Sequence, residues 1–385
     1  MHAVIGALMG DEGKGRVVDW LCSRSPSPPG VVRYSGGHQA AHRVVVGDKE
    51  HVFAHFGSGT LRGAPTYWSS YCPVAPVHLM NELTELERVI VEPPKLYIDG
   101  HCPVTTPYDV AWGRCEQTIM KQHGSCGMGI YATWKRERDG CHFLFEDTLH
   151  PEIARMKLKQ VKEYFRGVLE EFLEEQFVED CRLIADYVRS GAFHLAYGID
   201  DFDVKPRRAL RDQNLIFEGS QGLLLDQSYG FFPHVTPSNT GTQNVVEMLG
   251  PEITPETWLV TRAYSTRHGN GPFIPFESPE YEIKNPCEKN GDDGPQGKFR
   301  TGPVSLELLR YAVKKDPFLR KHGVDNVVVT CVDVLQGKTP YFIDDGGIYE
   351  ARNVEKLLGM IKEATGAKTL WTSSSPNGEV PLRRI

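Results

Sequence analysis

The chain has 385 residues, 40% of them hydrophobic, and carries a formal net charge of −7 with a pI near 6.1. That supplies enough apolar material for a large core, and the acidic balance argues against direct nucleic-acid binding, which calls for a basic surface. No apolar run is long enough to span a bilayer and the N-terminus lacks a secretory pattern, so no membrane association and a cytoplasmic address are expected.

In chain order, short apolar runs alternate with helical patterns. Residues 3–9, 31–34, 96–99, 215–217, 258–264, 327–334 and 369–372 read as strands, several of them apolar on both faces. Such strands belong to a mostly parallel sheet with helices on both faces, an α/β fold. Between 151 and 190, Val161, Tyr164, Phe165, Val168, Leu169, Phe172 and Leu173 recur at helical spacing, predicting a helix packed on the sheet. Gly- and Pro-rich stretches at 25–30, 269–275 and 285–297 mark loops, and the last is long enough for a mobile functional segment. With no internal repeat and no interdomain linker, residues 1–385 are expected to form a single catalytic domain with long loops. Nine scattered cysteines without a C-x-x-C pair suit free thiols.

The first strand runs into Gly10-Asp11-Glu12-Gly13-Lys14-Gly15, and an amphipathic helix is expected to begin near Arg16. Strand, glycine-rich turn and helix start together present backbone N–H groups and a positive helix end, a physical basis for binding phosphate. The stretch is not a Walker A loop, because Arg16 stands where that pattern has its hydroxyl residue. Asp11 would repel phosphate unless it holds a bridging metal ion or removes a proton from the nucleophile that attacks the phosphate. The bland alternative is a tight surface turn. Four later stretches count against it: RYSGGHQAAH at 33–42, IFEGSQGLLLDQSYGFFPHVTPSNT at 216–240, YSTRHGNGPF at 264–273 and QGKFRTG at 296–302. A histidine beside a Gly-rich turn is either a satisfied core residue or an acid and charge stabiliser. Lys298 and Arg300 are cations suited to an acidic ligand.

In this order and spacing, these stretches resemble the adenylosuccinate synthetase family, whose motifs they follow over nearly the whole chain. The resemblance implies a P-loop-NTPase-like fold, a homodimer, Mg²⁺, and a ligase that joins L-aspartate to carbon 6 of a 6-oxopurine nucleotide at the expense of a nucleoside triphosphate. By resemblance, Asp11 takes the N1 proton as O6 attacks the γ-phosphorus, and also approaches Mg²⁺ together with the carbonyl of Ala41. His42 matches the second catalytic residue. The triphosphate falls to Gly10, Glu12, Gly13, Lys14, Gly15, Asp333, Ser375 and Gly378. The purine nucleotide falls to Gln39, Ser125, Cys126, Gln221, Thr236, Thr240 and Lys298, with Arg136 or Arg138 reaching across a dimer interface. Arg300 and Thr301 would clamp the carboxylates of aspartate.

Departures from the family pattern bear on the substrates. Thr330-Cys331-Val332-Asp333 lacks the lysine that packs on guanine in the bacterial enzymes, and 372–378 replaces a final S-T-G-P-D-R. Gln39 stands where the family has asparagine, Cys126 where it has a second threonine, and Lys298 where an arginine approaches the ribose hydroxyls. These changes favour dGMP as acceptor and ATP as donor. That is the chemistry of a family branch, found in viruses and some archaea, that makes N6-succino-2-amino-2′-deoxyadenylate for 2-aminoadenine DNA; in a viral protein the address would be the host cytoplasm. Ordinary synthesis from IMP and GTP is the alternative, and a non-catalytic purine-nucleotide-binding regulator is the alternative of another class.

Overall fold

The computed structural model describes residues 1–115, 125–166, 174–202, 214–273, 283–291 and 296–385. Ten strands form the central sheet, in chain order β1 (His2–Gly6), β2 (Gly30–Arg33), β5 (Thr66–Trp68), β6 (Leu96–Asp99), β7 (Phe193–Ala196), β8 (Leu215–Glu218), β9 (Glu256–Arg262), β13 (Asn326–Thr330), β16 (Thr369–Thr372) and β17 (Arg383–Arg384). Their spatial order is β17-β16-β13-β9-β1-β8-β2-β5-β6-β7, and every pairing is parallel except that of β17 with β16. All seven strands expected from the sequence lie in this sheet.

Alternation along each strand divides the sheet into two faces. Val4, Val31, Ile216, Val260 and Val328 meet Val17, Val18 and Leu21 of helix α1 (Lys14–Ser23). Their neighbours Ala3, Ile5, Val32, Phe217, Leu259 and Val327 point the other way, onto the helices Leu306–Lys315 and Val354–Thr365. A second apolar cluster gathers at the far edge, where Leu96, Ile98 and Phe193 pack with the helices Pro76–Leu86, Pro151–Tyr164 and Glu174–Ser190. The single long helical pattern is therefore two helices, and Val168, Leu169, Phe172 and Leu173 lie outside the described residues.

Strand ends depart from the expected boundaries where the chain turns toward the site. The first strand stops at Gly6, where a Cβ would lie 2.2 Å from the carbonyl oxygen of Gln221, so only glycine permits that approach. β13 stops at Thr330, where Cys331 turns left-handed with φ 56°. β9 breaks after Arg262 and the chain restarts as β10 (Ser265–His268), paired antiparallel with β11 (Phe299–Gly302). A hairpin of β3 (His42–Val46) and β4 (Lys49–Phe53) stands beside α1, and β12 (Val304–Ser305), β14 (Tyr341–Asp344) and β15 (Gly347–Glu350) make a small separate sheet. The nine cysteines are all free thiols, and no described helix is long and apolar enough to cross a membrane.

Beneath the Gly36-Gly37 turn, three imidazoles stack, with His38 between His55 at 5.6 Å and His78 at 4.9 Å. Burial, together with His55 and His78, holds the His38 imidazole well below its ordinary 6.5, so it is neutral in the fold. The unfolded chain protonates this group below about pH 6.5 and thus binds more protons than the native state. Stability should fall as pH drops through that window, with His38 contributing a slope of about 1.4 kcal/mol per pH unit. Urea denaturation at pH 7, 6 and 5 should show this slope flattened in His38→Phe, which keeps a stacked ring without a titrating group; an unchanged slope would place the effect elsewhere.

Candidate active site

The carboxyl ends of the central parallel strands open onto a chamber of about 870 Å³. This is where ligands bind in open α/β sheets, because helix N-termini and strand-end loops converge there. Residues 10–15 cross its floor. Gly10 and Gly13 have positive φ, and Asp11, at φ 56°, is one of the few non-glycine residues in the left-handed region. That backbone lifts the Asp11 side chain into the open chamber and starts α1 at Lys14, two residues earlier than the sequence pattern suggests.

Glu12 points the opposite way. Its Oε1 accepts the Leu8 N–H at 2.8 Å, and burial pushes its carboxyl up to about 8 against the pull of Lys14 and that N–H. Burial pushes Lys14 down, opposed by Glu12 and Asp11, and its Nζ donates to the Gln221 carbonyl. The loop thus carries one solvent-facing carboxylate and one carboxyl held in the protein interior. Sequence reasoning gave Asp11 to catalysis and the metal ion and Glu12 to the triphosphate; the geometry turns the first toward the chamber and the second toward the interior.

On the opposite wall, His42 begins β3, and its Nδ1 lies 2.5 Å from Oε1 of Glu218 at the end of β8. Glu218 is wholly buried, yet its carboxyl is held at about 2, because His42, Arg33 and Ser58 together outweigh the burial. The Ser58 N–H donates to it at 2.9 Å, and the Ser58 hydroxyl donates as well. Burial holds His42 below its ordinary value even against Glu218, so the imidazole rests neutral. An anionic Glu218 takes the Nδ1–H, which leaves Nε2 as the functional nitrogen. Glu218 was not foreseen as a site residue, although it is the charged residue ending a buried strand inside FEGSQG.

Most of the other expected residues line the same chamber: Gln39, Ala41, Ser125 and Cys126 on one side, Gln221 and Thr236 on another, Asp333 and Ser375 at the far end. The Gln221 amide donates to the Thr236 hydroxyl at 3.1 Å, while the amide oxygens of Gln39 and Gln221 are buried and accept no hydrogen bond from the described residues. Seven expected residues do not line it. Thr240 is buried, with its hydroxyl donating to the Gly222 carbonyl at 2.9 Å; Gly378 is buried, its N–H donating to Val45 and its α-carbon tight against Asp19. Arg138 and Lys298 are exposed outside the chamber. Arg300 and Thr301 lie in β11 behind the wall, with Arg300 donating to the carbonyls of Gly269 and Gly271. Arg136 is fully buried, tied to Asp109 at 3.0 Å and Glu137 at 2.5 Å, and cannot reach another chain without unfolding its helix end.

Arg267 was not foreseen and does line the chamber, directly opposite Arg300 across the β10–β11 pairing. Burial and Arg300 together bring its guanidinium down to about 10. No carboxylate pairs with either guanidinium among the described residues, so this wall favours an acidic ligand. Among the described residues there is no group of three or more His, Cys, Asp and Glu placed to hold a metal ion. Asp11 and Ala41, both exposed residues of the chamber lining, offer a carboxylate and a carbonyl, oxygen donors of the kind that would hold a hard divalent cation.

The adenylosuccinate synthetase family model matches residues 3–342. The adenylosuccinate synthetase of Nitrosomonas europaea is 32% identical over 87% of this chain and 77% of its own length; that of Methylibium petroleiphilum is 30% identical over 96% and 84%. Among solved structures, the fully ligated adenylosuccinate synthetase of Plasmodium falciparum superposes with a TM-score of 0.80 at 18% identity, covering 100% of this chain and 99% of that one. The cyanophage S-2L succinoaminodeoxyadenylate synthetase, bound to dGMP and dATP as an energy donor, gives 0.57 at 15% identity over 94% and 98%. With the family model matching residues 3–342 and these relatives in agreement, the chain belongs to the adenylosuccinate synthetase family, whose members are C–N ligases.

Proposed function

We propose that the whole chain, residues 1–385, is one catalytic unit that joins L-aspartate to carbon 6 of dGMP with ATP as phosphoryl donor, giving N6-succino-2-amino-2′-deoxyadenylate. The observation that supports the acceptor choice is the pair of amide oxygens on Gln39 and Gln221, two residues of the chamber lining, which are buried and accept no hydrogen bond from the described residues. A buried acceptor left unpaired costs about 1–3 kcal/mol. The 2-amino group of guanine brings two N–H donors that hypoxanthine lacks. Lys298, exposed outside the chamber, makes no demand for a 2′-hydroxyl, in keeping with a deoxyribose. The cysteine at 331, in place of a lysine that would pack on guanine, supports ATP.

The chemistry follows from the two walls. Asp11 takes the N1 proton of the purine while O6 attacks the γ-phosphorus and the bond to the β-phosphate oxygen breaks. Lys14 and the amides at the start of α1 receive the phosphates. His42, neutral at rest, gains affinity for a proton as anionic phosphates arrive beside it, and donates from Nε2 where charge accumulates; Glu218 holds the ring through Nδ1. Mg²⁺, held by the Asp11 carboxylate and the Ala41 carbonyl, supplies neutralisation of phosphate charge when bound. The phosphate now on O6 is a good leaving group, and the aspartate amine displaces it at carbon 6. Arg267, which lines the chamber with Arg300 behind it, attracts the carboxylates of aspartate. The unit works as a homodimer, with Arg138 rather than the locked Arg136 available to a second chain.

A second reading, IMP with GTP, is favoured by the curated relatives, which are adenylosuccinate synthetases. Offering IMP, GMP and dGMP, each with ATP or GTP and L-aspartate, and weighing the succinylated product by mass spectrometry, separates the two. Turnover of dGMP with ATP should lead; IMP turnover above dGMP with every donor would overturn the acceptor choice and leave the reaction class standing. Asp11→Ala should still bind nucleotide, while product formation falls by about a hundredfold or more. Full turnover in that variant would remove the role given to Asp11, whereas no aspartate-dependent phosphate release by the unaltered protein with any purine nucleotide would favour the non-catalytic regulator.

A further inference from the structure

Three successive carbonyls of the phosphate loop are each held by a side chain from a neighbouring strand or strand end. Gly10 O accepts from the Thr266 hydroxyl at 3.3 Å, Asp11 O from Nε of Arg262, and Glu12 O from the Thr330 hydroxyl at 2.8 Å. Two of these donors are small neutral hydroxyls. The third is a buried guanidinium between the rings of Tyr264 and Phe299, its centre 5.5 and 5.7 Å from the two centroids. Its Nη1 meets the Tyr264 hydroxyl at 2.8 Å and Oε2 of Glu288 at 2.6 Å. Glu288 belongs to residues 283–291 and itself lines the chamber, and Asn285 of the same segment donates to Tyr264 at 3.1 Å.

We propose that Arg262 is the positioning residue for Asp11, and that Glu288 sets the orientation of Arg262, so that docking of residues 283–291 and placement of the base are coupled. The physical reason lies in the Asp11 backbone. A left-handed φ of 56° is unfavourable for a residue with a Cβ, and rotation about the Asp11 N–Cα bond would relieve it. That rotation would carry the carbonyl away from Arg262 and swing the carboxylate away from the purine. A charge-assisted hydrogen bond to that carbonyl opposes it, and the guanidinium, held by two rings, a phenol and a carboxylate, cannot follow the peptide. Glu288 gives the segment a reason to pack on β9, and its own carboxyl is held low, because Arg262 and nearby amides outweigh burial. No substrate contact is required of Arg262, which acts through Asp11.

The inference rests on Asp11 as the base, so its test reads the loop and the chemistry separately. Arg262→Met, Arg262→Lys and Glu288→Gln would be compared with the unaltered protein by steady-state kinetics with dGMP or IMP, ATP and L-aspartate. Without aspartate, scrambling of ¹⁸O from the β–γ bridge of ATP reports the phosphoryl step alone. Amide hydrogen exchange of residues 9–13 reports loop order whether or not any turnover occurs. Arg262→Met should lose at least about tenfold in kcat and in scrambling, with both nucleotide KM values within about threefold. Arg262→Lys should recover part of that loss, and Glu288→Gln, on a partly exposed side chain, should fall between. Exchange at residues 9–13 should quicken in the same order. Wild-type exchange and wild-type kcat in both Arg262→Met and Glu288→Gln would overturn the proposal, as would a loss confined to KM. An unaltered protein that neither scrambles nor turns over would instead remove the role given to Asp11, while the exchange rates still decide whether Arg262 orders the loop.

Discussion

A buried ion organises the chamber before any substrate enters it. Glu218 ends β8 and Arg33 ends the neighbouring β2, in register with each other and both without solvent exposure. Charges in such a position are costly unless each is paired and hydrogen-bonded. Here the guanidinium donates to the carbonyls of Ala40 at 2.9 Å and Phe56 at 3.4 Å, while the carboxylate collects His42 and both donors of Ser58. Satisfying the two charges therefore fixes the turn from Gly36 to His42, the start of β3 and the Ser58 loop at once. Removing either partner would leave the other as an uncompensated buried charge, a larger penalty than the pair's net contribution.

That constraint separates two tasks that a phosphate site must combine. Binding needs positive charge, whereas transfer needs groups that change protonation near neutral pH. The protein keeps His42 neutral through burial and Lys14 lowered beside a raised Glu12, so the groups nearest the phosphate loop hold their charge in reserve. Anionic phosphates would themselves supply the field that draws protons onto these groups. Asp11 presents a carboxylate to the open space, and a loop pinned at three carbonyls keeps it there.

Much of the fold was legible because parallel strands buried on both faces leave continuous apolar runs, and those runs fell in the central sheet. β5 and β7 were missed because Thr66–Trp68 has three residues and Phe193–Ala196 carries a histidine, too little for either period to register. The extent of the site was legible from glycine-rich motifs, whose backbone shapes follow from residue type. Side-chain direction was not. Thr240 and Gly378 sit in motif positions yet serve packing, because the hydroxyl meets a carbonyl and the glycine admits Asp19. Arg136 and Arg138 are two residues apart on one helix, and only the fold shows that the first is spent on Asp109. Glu218, Arg262 and Arg267 went unnoticed because each acts across strands far apart in sequence, where spacing carries no information. A usable sign was present for Glu218 and Arg262: a charged side chain within or ending a run that reads as a buried strand.

The same logic bears on how one fold could serve two purines. The reacting edge of a 6-oxopurine, N1–H with O6, is identical in hypoxanthine and guanine, so Asp11, His42 and Glu218 need not change between acceptors. Discrimination has to come from carbon 2, where guanine offers a donor and hypoxanthine a C–H. A site that leaves acceptor oxygens unpaired penalises the base without the amine, whereas a site whose acceptors are already satisfied excludes the amine by volume. Under the proposed acceptor, Gln39 and Gln221, whose amide oxygens accept no hydrogen bond from the described residues, would put this chamber in the first class. Selectivity of this kind is confined to side chains that play no part in phosphoryl transfer, so it can shift by substitution at the turn after Gly37 while the buried Arg33–Glu218 pair holds the catalytic wall unchanged.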